Sequence, residues 1–261
     1  MQIFKACFSS LFIASIIVTS MGTSATESKD AWNKLAGAKQ SERPEFSYLT
    51  NNPYLSNVLI YGDSISIGYT QRVREQLQNQ ANVYRLYRNG GESASFIKKM
   101  TTMHKLMQSE TLSQPWDFQW DVIHFNVGLH DLKYVLNGKL DKKNGKQVSS
   151  LTRYKQNLHA IVAYLKELAP NAKLIFATTT PVPENADGRN AGDAQKYNQA
   201  ALSVIKQYPS IIINDLYRLT KPVQTAWWIK PGDVHYNKTG KEAQGDQVAS
   251  FIKHALTTNS D

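Results

Sequence analysis

Five short apolar runs recur along this chain, at residues 58–61, 83–87, 122–126, 174–178 and 211–214. Each has the length of a strand buried on both faces. Between them lie stretches with helical spacing. Residues 71–80 carry Val73 and Leu77 four apart, and residues 152–168 carry an apolar stripe of Tyr154, Leu158, Ile161, Val162, Leu165 and Leu168 that Pro170 stops. Residues 194–207 and 241–256 complete the set. Parallel strands need a long crossover, and helical crossovers pack back onto the sheet with one hand. The expectation is an α/β fold, a mainly parallel sheet of about five strands with helices on both faces. No repeat, linker or low-complexity segment divides residues 57–261, which read as one domain after a polar, irregular lead-in at residues 26–56.

The first 25 residues read differently. Lys5 precedes an apolar run at residues 6–18, and small and polar residues follow to Ala25. That is the pattern of a secretory signal peptide cut near Ser24 or Ala25. The run is short for a spanning helix, although an N-terminal anchor is the other reading. The one cysteine, Cys7, lies inside this leader, so the mature chain would have neither disulfides nor thiol chemistry. The expected address is periplasmic or secreted, with no stable membrane insertion after cleavage.

The formal charge of +9 favours anionic surroundings such as an acidic polysaccharide or a lipid surface, or simply reflects solvated lysines. The densest basic patch, Lys139, Lys142, Lys143 and Lys146, falls in a Gly- and Asn-containing stretch that reads as an exposed loop. Basic and aromatic residues do not interleave, so no nucleic-acid partner is expected. There is no His-Glu-x-x-His, no cysteine cluster and no acidic calcium loop, so no metal is expected. Phosphate-binding and dinucleotide-binding glycine motifs are also missing, so no cofactor is expected.

In open parallel sheets, ligands bind beyond the carboxyl ends of the strands. Four polar segments fall there: Gly62-Asp63-Ser64, Asn89-Gly90-Gly91-Glu92-Ser93, Gly128-Leu129-His130-Asp131 and the late Gly232-Asp233-Val234-His235. A buried strand that delivers a serine to the mouth of a sheet is one way to build a nucleophile. The turn reads Gly-Asp-Ser-Ile-Ser, so it is not the Gly-x-Ser-x-Gly elbow of the α/β-hydrolases.

These four blocks, in this order over residues 57–251, resemble the SGNH (GDSL) hydrolases. The resemblance implies a flavodoxin-like three-layer sandwich and ester hydrolysis through a serine. It implies Ser64 as nucleophile and His235 as general base. The backbone N–H groups of Ser64 and Gly91 would be oxyanion donors, with Gly90 the alternative if the loop is shifted by one. Two positions depart from the family pattern. His130 stands where an asparagine usually supplies the third oxyanion donor. Its ring can still donate an N–H, can add a titratable group to the site, or can merely brace the loop. Asp233 lies two residues before His235 instead of three. It is the available acid to orient the imidazole; a Ser–His dyad and a backbone carbonyl are the alternatives.

Other residues have plainer readings. Asp63 holds the serine turn and Asp131 ties down the third loop. His124 is a core histidine, while His104, His159 and His254 look like surface or edge residues. Trp227 and Trp228 either wall a sugar site or pack under the histidine loop. Arg189, in the polar stretch 181–192, either meets an anionic substrate or is solvated. The expected protein is a secreted or periplasmic serine esterase acting through an acyl-enzyme on small acyl groups, acetyl foremost, carried on carbohydrate. A lysophospholipase or thioesterase is the enzymatic alternative. A catalytically silent carbohydrate-binding protein is the other.

Overall fold

A computed structural model describes residues 26–258, so the expected leader at residues 1–25 lies outside the described residues. The described residues open with α1 (Ser28–Ala36) and the one-turn α2 (Ala38–Ser41), then run through β1 (Ser56–Tyr61), α3 (Ser64–Gln76) and β2 (Ala81–Arg85). Next come α4 (Phe96–Met107), β3 (Val122–Phe125) and three short strands, β4 (Tyr134–Leu136), β5 (Lys139–Leu140) and β6 (Lys146–Gln147). The second half holds α5 (Leu151–Leu168), β7 (Lys173–Ala177), α6 (Asp193–Ile205), β8 (Ile212–Asn214), α7 (Leu216–Thr220), α8 (Gln224–Trp227) and α9 (Lys238–Thr257).

The main sheet has five parallel strands in the order β2-β1-β3-β7-β8. All five coincide with the apolar runs, shifted by one or two residues. Val58, Leu59, Ile60 and Tyr61 are all buried, so β1 is covered on both faces, as a parallel strand requires. The chain leaves β1 for β2 on one side and then crosses to β3 on the other. With right-handed crossovers, that reversal puts α3 on the face opposite α4, α5 and α6. The C-terminal α9 returns to pack on α3. The reversal opens the crevice between the carboxyl ends of β1 and β3, where such sheets bind ligands.

Helix α5 buries Tyr154, Leu158, Ile161, Val162 and Leu165 of the predicted stripe and leaves Leu168 half-buried, and Ser150 caps it by accepting the Arg153 N–H. Replacing Leu158 with alanine there should cost about 2–5 kcal/mol. No helix among the described residues is long and apolar enough to cross a membrane.

Three expectations need correction. Residues 26–56 are not an irregular lead-in. Helix α1 packs on α4, Trp32 is buried, and its indole N–H donates to the Phe46 carbonyl at 2.6 Å. The backbone of Thr26 pairs with the 111–113 segment. Trp32 joins Tyr84, Trp116, Phe118 and Trp120 in one aromatic cluster. His104 is not at the surface either. It sits against Trp116 and Trp120, donates from Nδ1 to the Met100 carbonyl and accepts the Trp120 N–H at Nε2. Finally, the lysine-rich stretch is a three-stranded antiparallel sheet, order β5-β4-β6, and not a bare loop. His124 is buried in β3 with Nε2 beside the Asn214 amide, His159 is half-buried against Tyr208, and His254 is exposed.

Candidate active site

Strand β1 stops at Tyr61, and two residues later Asp63 takes an extended conformation and caps α3. Its carboxylate accepts the Ile65 N–H at 2.9 Å, the turn-holding contact expected of it. Burial pushes the Asp63 carboxyl up from its ordinary value, opposed by that N–H and by the charges of Arg189, Lys133 and His235. Ser64 is therefore the first residue of a helix, at the mouth of the sheet. Behind the turn lies a residue with no obvious sequence signal, Arg85. It is fully buried, donates to Ser66 Oγ at 2.7 Å and to the Gly62 carbonyl at 3.4 Å, and stacks on the Phe46 ring. Burial lowers its guanidinium to about 9. The N-terminal segment thus covers a brace of the serine turn.

The C-terminal loop brings His235 over Ser64. Its Nε2 lies 2.9 Å from Ser64 Oγ, and its Nδ1 lies 2.6 Å from Asp233 Oδ1. The same carboxylate oxygen accepts the His235 backbone N–H at 2.9 Å. This explains how an acid two residues away reaches the ring. An aspartate bonding the backbone two positions on forms an Asx-turn, which folds the carboxylate against the following side chain. Burial pushes the Asp233 carboxyl up, but the backbone N–H, the imidazole and Lys230 outweigh it and hold it below the ordinary range. The hydroxyl, imidazole and carboxylate stand in series. Such a series can take a proton from the hydroxyl as it attacks a carbonyl.

The second and third loops meet in a carboxylate. Asp131 accepts the Ser93 backbone N–H and hydroxyl, the tie expected of it. Gly90 donates its N–H to the Gly62 carbonyl at 2.9 Å, so that N–H is already used. A side chain at Gly90 would lie 2.7 Å from the Tyr61 ring and 2.8 Å from the Gly62 oxygen, so the close approach of the two loops needs glycine. The Gly91 N–H donates to Asn89 Oδ1 at 2.9 Å and must share or exchange that partner to serve another acceptor.

His130 has a partner that sequence reasoning missed, Lys133, whose Nζ lies 2.9 Å from Nδ1. An ammonium only donates, so Nδ1 accepts and the ring proton sits on Nε2. Burial lowers His130 to about 3, helped by the charges of Lys133, Arg189, Lys99 and His235. The ring is a neutral Nε2–H donor over the whole neutral range, not a titrating group. The only sequence hint was the three-residue spacing to a lysine.

The remaining candidates separate. Arg189 is not solvated: it is 7% exposed, donates from Nε to the Leu129 carbonyl at 3.0 Å, and lines a cavity of about 420 Å³ with Asp233 and His235. Trp227 is half-buried and packs under the histidine loop, beside Gly240, which Tyr236 also flanks. Trp228 lines a neighbouring cavity with Pro231 and Gly232.

Known proteins resemble this chain in sequence and in fold. A multidomain esterase of Ruminococcus flavefaciens is 28% identical over 141 residues, 51% of this chain but only 16% of that protein's length. The fold matches a lipase/acylhydrolase from Enterococcus faecalis with a TM-score of 0.58 at 16% identity, covering 79% of this chain and all of that one. It matches an acetyl xylan esterase with a TM-score of 0.56 at 18% identity, covering 75% and 99% of the two chains. It also matches the C-terminal catalytic domain of a Streptococcus pneumoniae peptidoglycan O-acetyltransferase, at 0.52 and 15%, covering 77% and 94%. A family model spans residues 60–243, from the serine strand into the last helix, and the chain belongs to the GDSL-like lipase/acylhydrolase family, an ester-hydrolase family.

Proposed function

We propose that this protein is an extracytoplasmic serine esterase that removes small acyl groups, acetyl foremost, from carbohydrate. The observation that carries the reading is the series Ser64–His235–Asp233, at 2.9 and 2.6 Å. Ser64 Oγ attacks the ester carbonyl as its proton passes to His235 Nε2, and Asp233 stabilises the imidazolium. The negative oxygen is received by the Ser64 and Gly91 N–H groups and by His130 Nε2–H. Collapse of the tetrahedral species breaks the bond to the sugar oxygen, which takes the proton from His235. Water then attacks the acyl-Ser64 ester, again giving its proton to His235, and the acid leaves.

A small acyl group is supported by the cavity beside His235, whose walls include Asn185, Asp187, Arg189 and Lys230. A lysophospholipid or thioester chain would need an apolar channel. The leader pattern supports export. The intact Ser–His–Asp series weighs against a silent binder. The test is a chain-length series of p-nitrophenyl esters alongside acetylated sugar oligomers. The reading expects kcat/KM to be highest for acetate and to fall with chain length. A maximum at eight or more carbons would assign the site to lipid.

A further inference from the structure

We infer that the groove beside His235 takes an acidic glycan, with Arg189 receiving a carboxylate on a sugar near the acylated hydroxyl. This rests on the esterase reading above and narrows its substrate to sugar acids in a polymer. Arg189 is a cation buried to 7% exposure, with no carboxylate in ion-pair range among the described residues. Its Nε is satisfied by the Leu129 carbonyl, its Nη1 reaches only the Asp187 carbonyl at 3.4 Å, and its side chain lines the cavity of His235. An unpaired cation costs free energy when it is buried, and an anion arriving in the cavity relieves that cost. A planar guanidinium with a free Nη edge matches a carboxylate.

Arg189 is not alone. Lys133 and Lys99 are half-buried around the same site, also without carboxylate partners. Burial lowers all three cations. The groove then continues. Asn185, Ala186 and Asp187 wall both the His235 cavity and a second one of about 560 Å³, also lined by Lys142 and Lys143 in the turn between β5 and β6 of the small antiparallel sheet. That sheet is docked on the wall. Tyr134 N–H donates to the Gly188 carbonyl at 2.8 Å, and Lys142 reaches the carbonyls of Glu184 and Ala186 at 3.5 Å. Gly188, with φ +59, accepts Leu140 where a Cβ would clash at 2.7 Å.

The acids around this path do not reach the three cations within ion-pair range: buried Asp63, whose charge acts most on Arg189, is held by the Ile65 N–H, and Glu92 acts on Lys133 and Lys99 only from a distance. Asp233 is engaged with His235, and Asp141 is used up in its own turn by Lys143 and Asn144. Asp187 is exposed on the rim. A set of cations spread from the His235 cavity into the second one fits a polyanion rather than a single charged sugar. The polar walls disfavour a lipid headgroup with its chain.

The test compares O-acetylated oligogalacturonate with the same oligomer methyl-esterified to neutrality, and also measures binding of unacetylated oligogalacturonate by calorimetry. The intact protein should favour the acidic ester by about tenfold or more in kcat/KM at low salt, with the preference shrinking as salt screens it. In Arg189→Gln the acidic-to-neutral ratio should fall by about tenfold, to near unity, mainly through KM. The surface double substitution Lys142→Glu with Lys143→Glu should lower the polymer-to-monomer ratio. It keeps the proposal testable if the buried arginine variant does not fold. Equal rates on acidic and neutral esters, with no oligogalacturonate binding, overturn the proposal even if p-nitrophenyl acetate is hydrolysed. Competition by a hexose phosphate and not by oligogalacturonate overturns the carboxylate assignment. If no ester at all is turned over, the esterase reading fails, and calorimetry decides the subsite by itself.

Discussion

Replacing His130 with alanine should remove one proposed oxyanion donor from the reaction and leave Lys133 without its ring acceptor. A neutral ring is held by burial and by Lys133, which pull it from 6.5 to about 3. That shift favours the neutral form by about 5 kcal/mol. At pH 5 only about one ring in a hundred carries a charge. On the proposed mechanism the ring N–H is therefore uncharged across the pH 5–9 window of the assay. Its loss should lower kcat by about 10²–10³, or about 3–4 kcal/mol, the worth of an oxyanion-hole donor. KM should move little, because the oxyanion exists only beyond the ground state. Asparagine at this position restores an N–H and should recover most of the rate. The assay is kcat and KM on p-nitrophenyl acetate between pH 5 and 9 for the parent, His130→Ala and His130→Asn. The parent and the asparagine variant should share one pH profile, because nothing at position 130 titrates in that window. Nitrogen-15 NMR of the ring should show Nδ1 bare and Nε2 protonated throughout. An unchanged kcat in the alanine variant, or an inflection in the parent that asparagine abolishes, would refute the reasoning.

Two further perturbations follow from the geometry. Asp233→Asn keeps the size of the side chain but removes the charge that faces both His235 N–H groups, and kcat should fall by about 10²–10⁴ with the circular dichroism spectrum unchanged. An unaltered kcat would mean that the imidazole needs no carboxylate. Trp32→Ala opens a void in the aromatic cluster and frees the Phe46 carbonyl, and denaturant titration should register a loss of about 3–5 kcal/mol. A loss below about 1 kcal/mol would contradict the assignment of residues 26–56 to the core.

The sheet was legible because its strands are buried on both faces and so read as unbroken apolar runs between turns. Helix α5 was legible from the opposite pattern, a five-residue buried stripe at helical spacing on an otherwise mostly polar helix. Helix α4 carried an equal signal in Phe96, Met100, Met103 and Met107, all buried, but Lys98, Lys99 and the threonine pair masked it. The N-terminal segment was misread because its burial depends on single aromatic residues, Trp32 and Phe46, set in polar sequence. No periodicity marks a helix that docks through one side chain. The small sheet β4-β5-β6 escaped because its strands run two to three residues and expose their lysines. At the site, the four loops could be picked out from their polar residues at strand ends. The contacts within them could not. The Asx-turn that folds Asp233 onto His235, the Lys133 that fixes the His130 proton, and the buried Arg85 behind the serine turn depend on backbone path, which spacing alone does not specify.

The central claim is that Ser64 forms the acyl-enzyme. A fluorophosphonate probe followed by peptide mass spectrometry tests it most directly. The account predicts one adduct per chain, on Ser64, with both labelling and ester hydrolysis abolished in Ser64→Ala while the fold is retained. An adduct on any other residue, or hydrolysis that survives in Ser64→Ala, would contradict it.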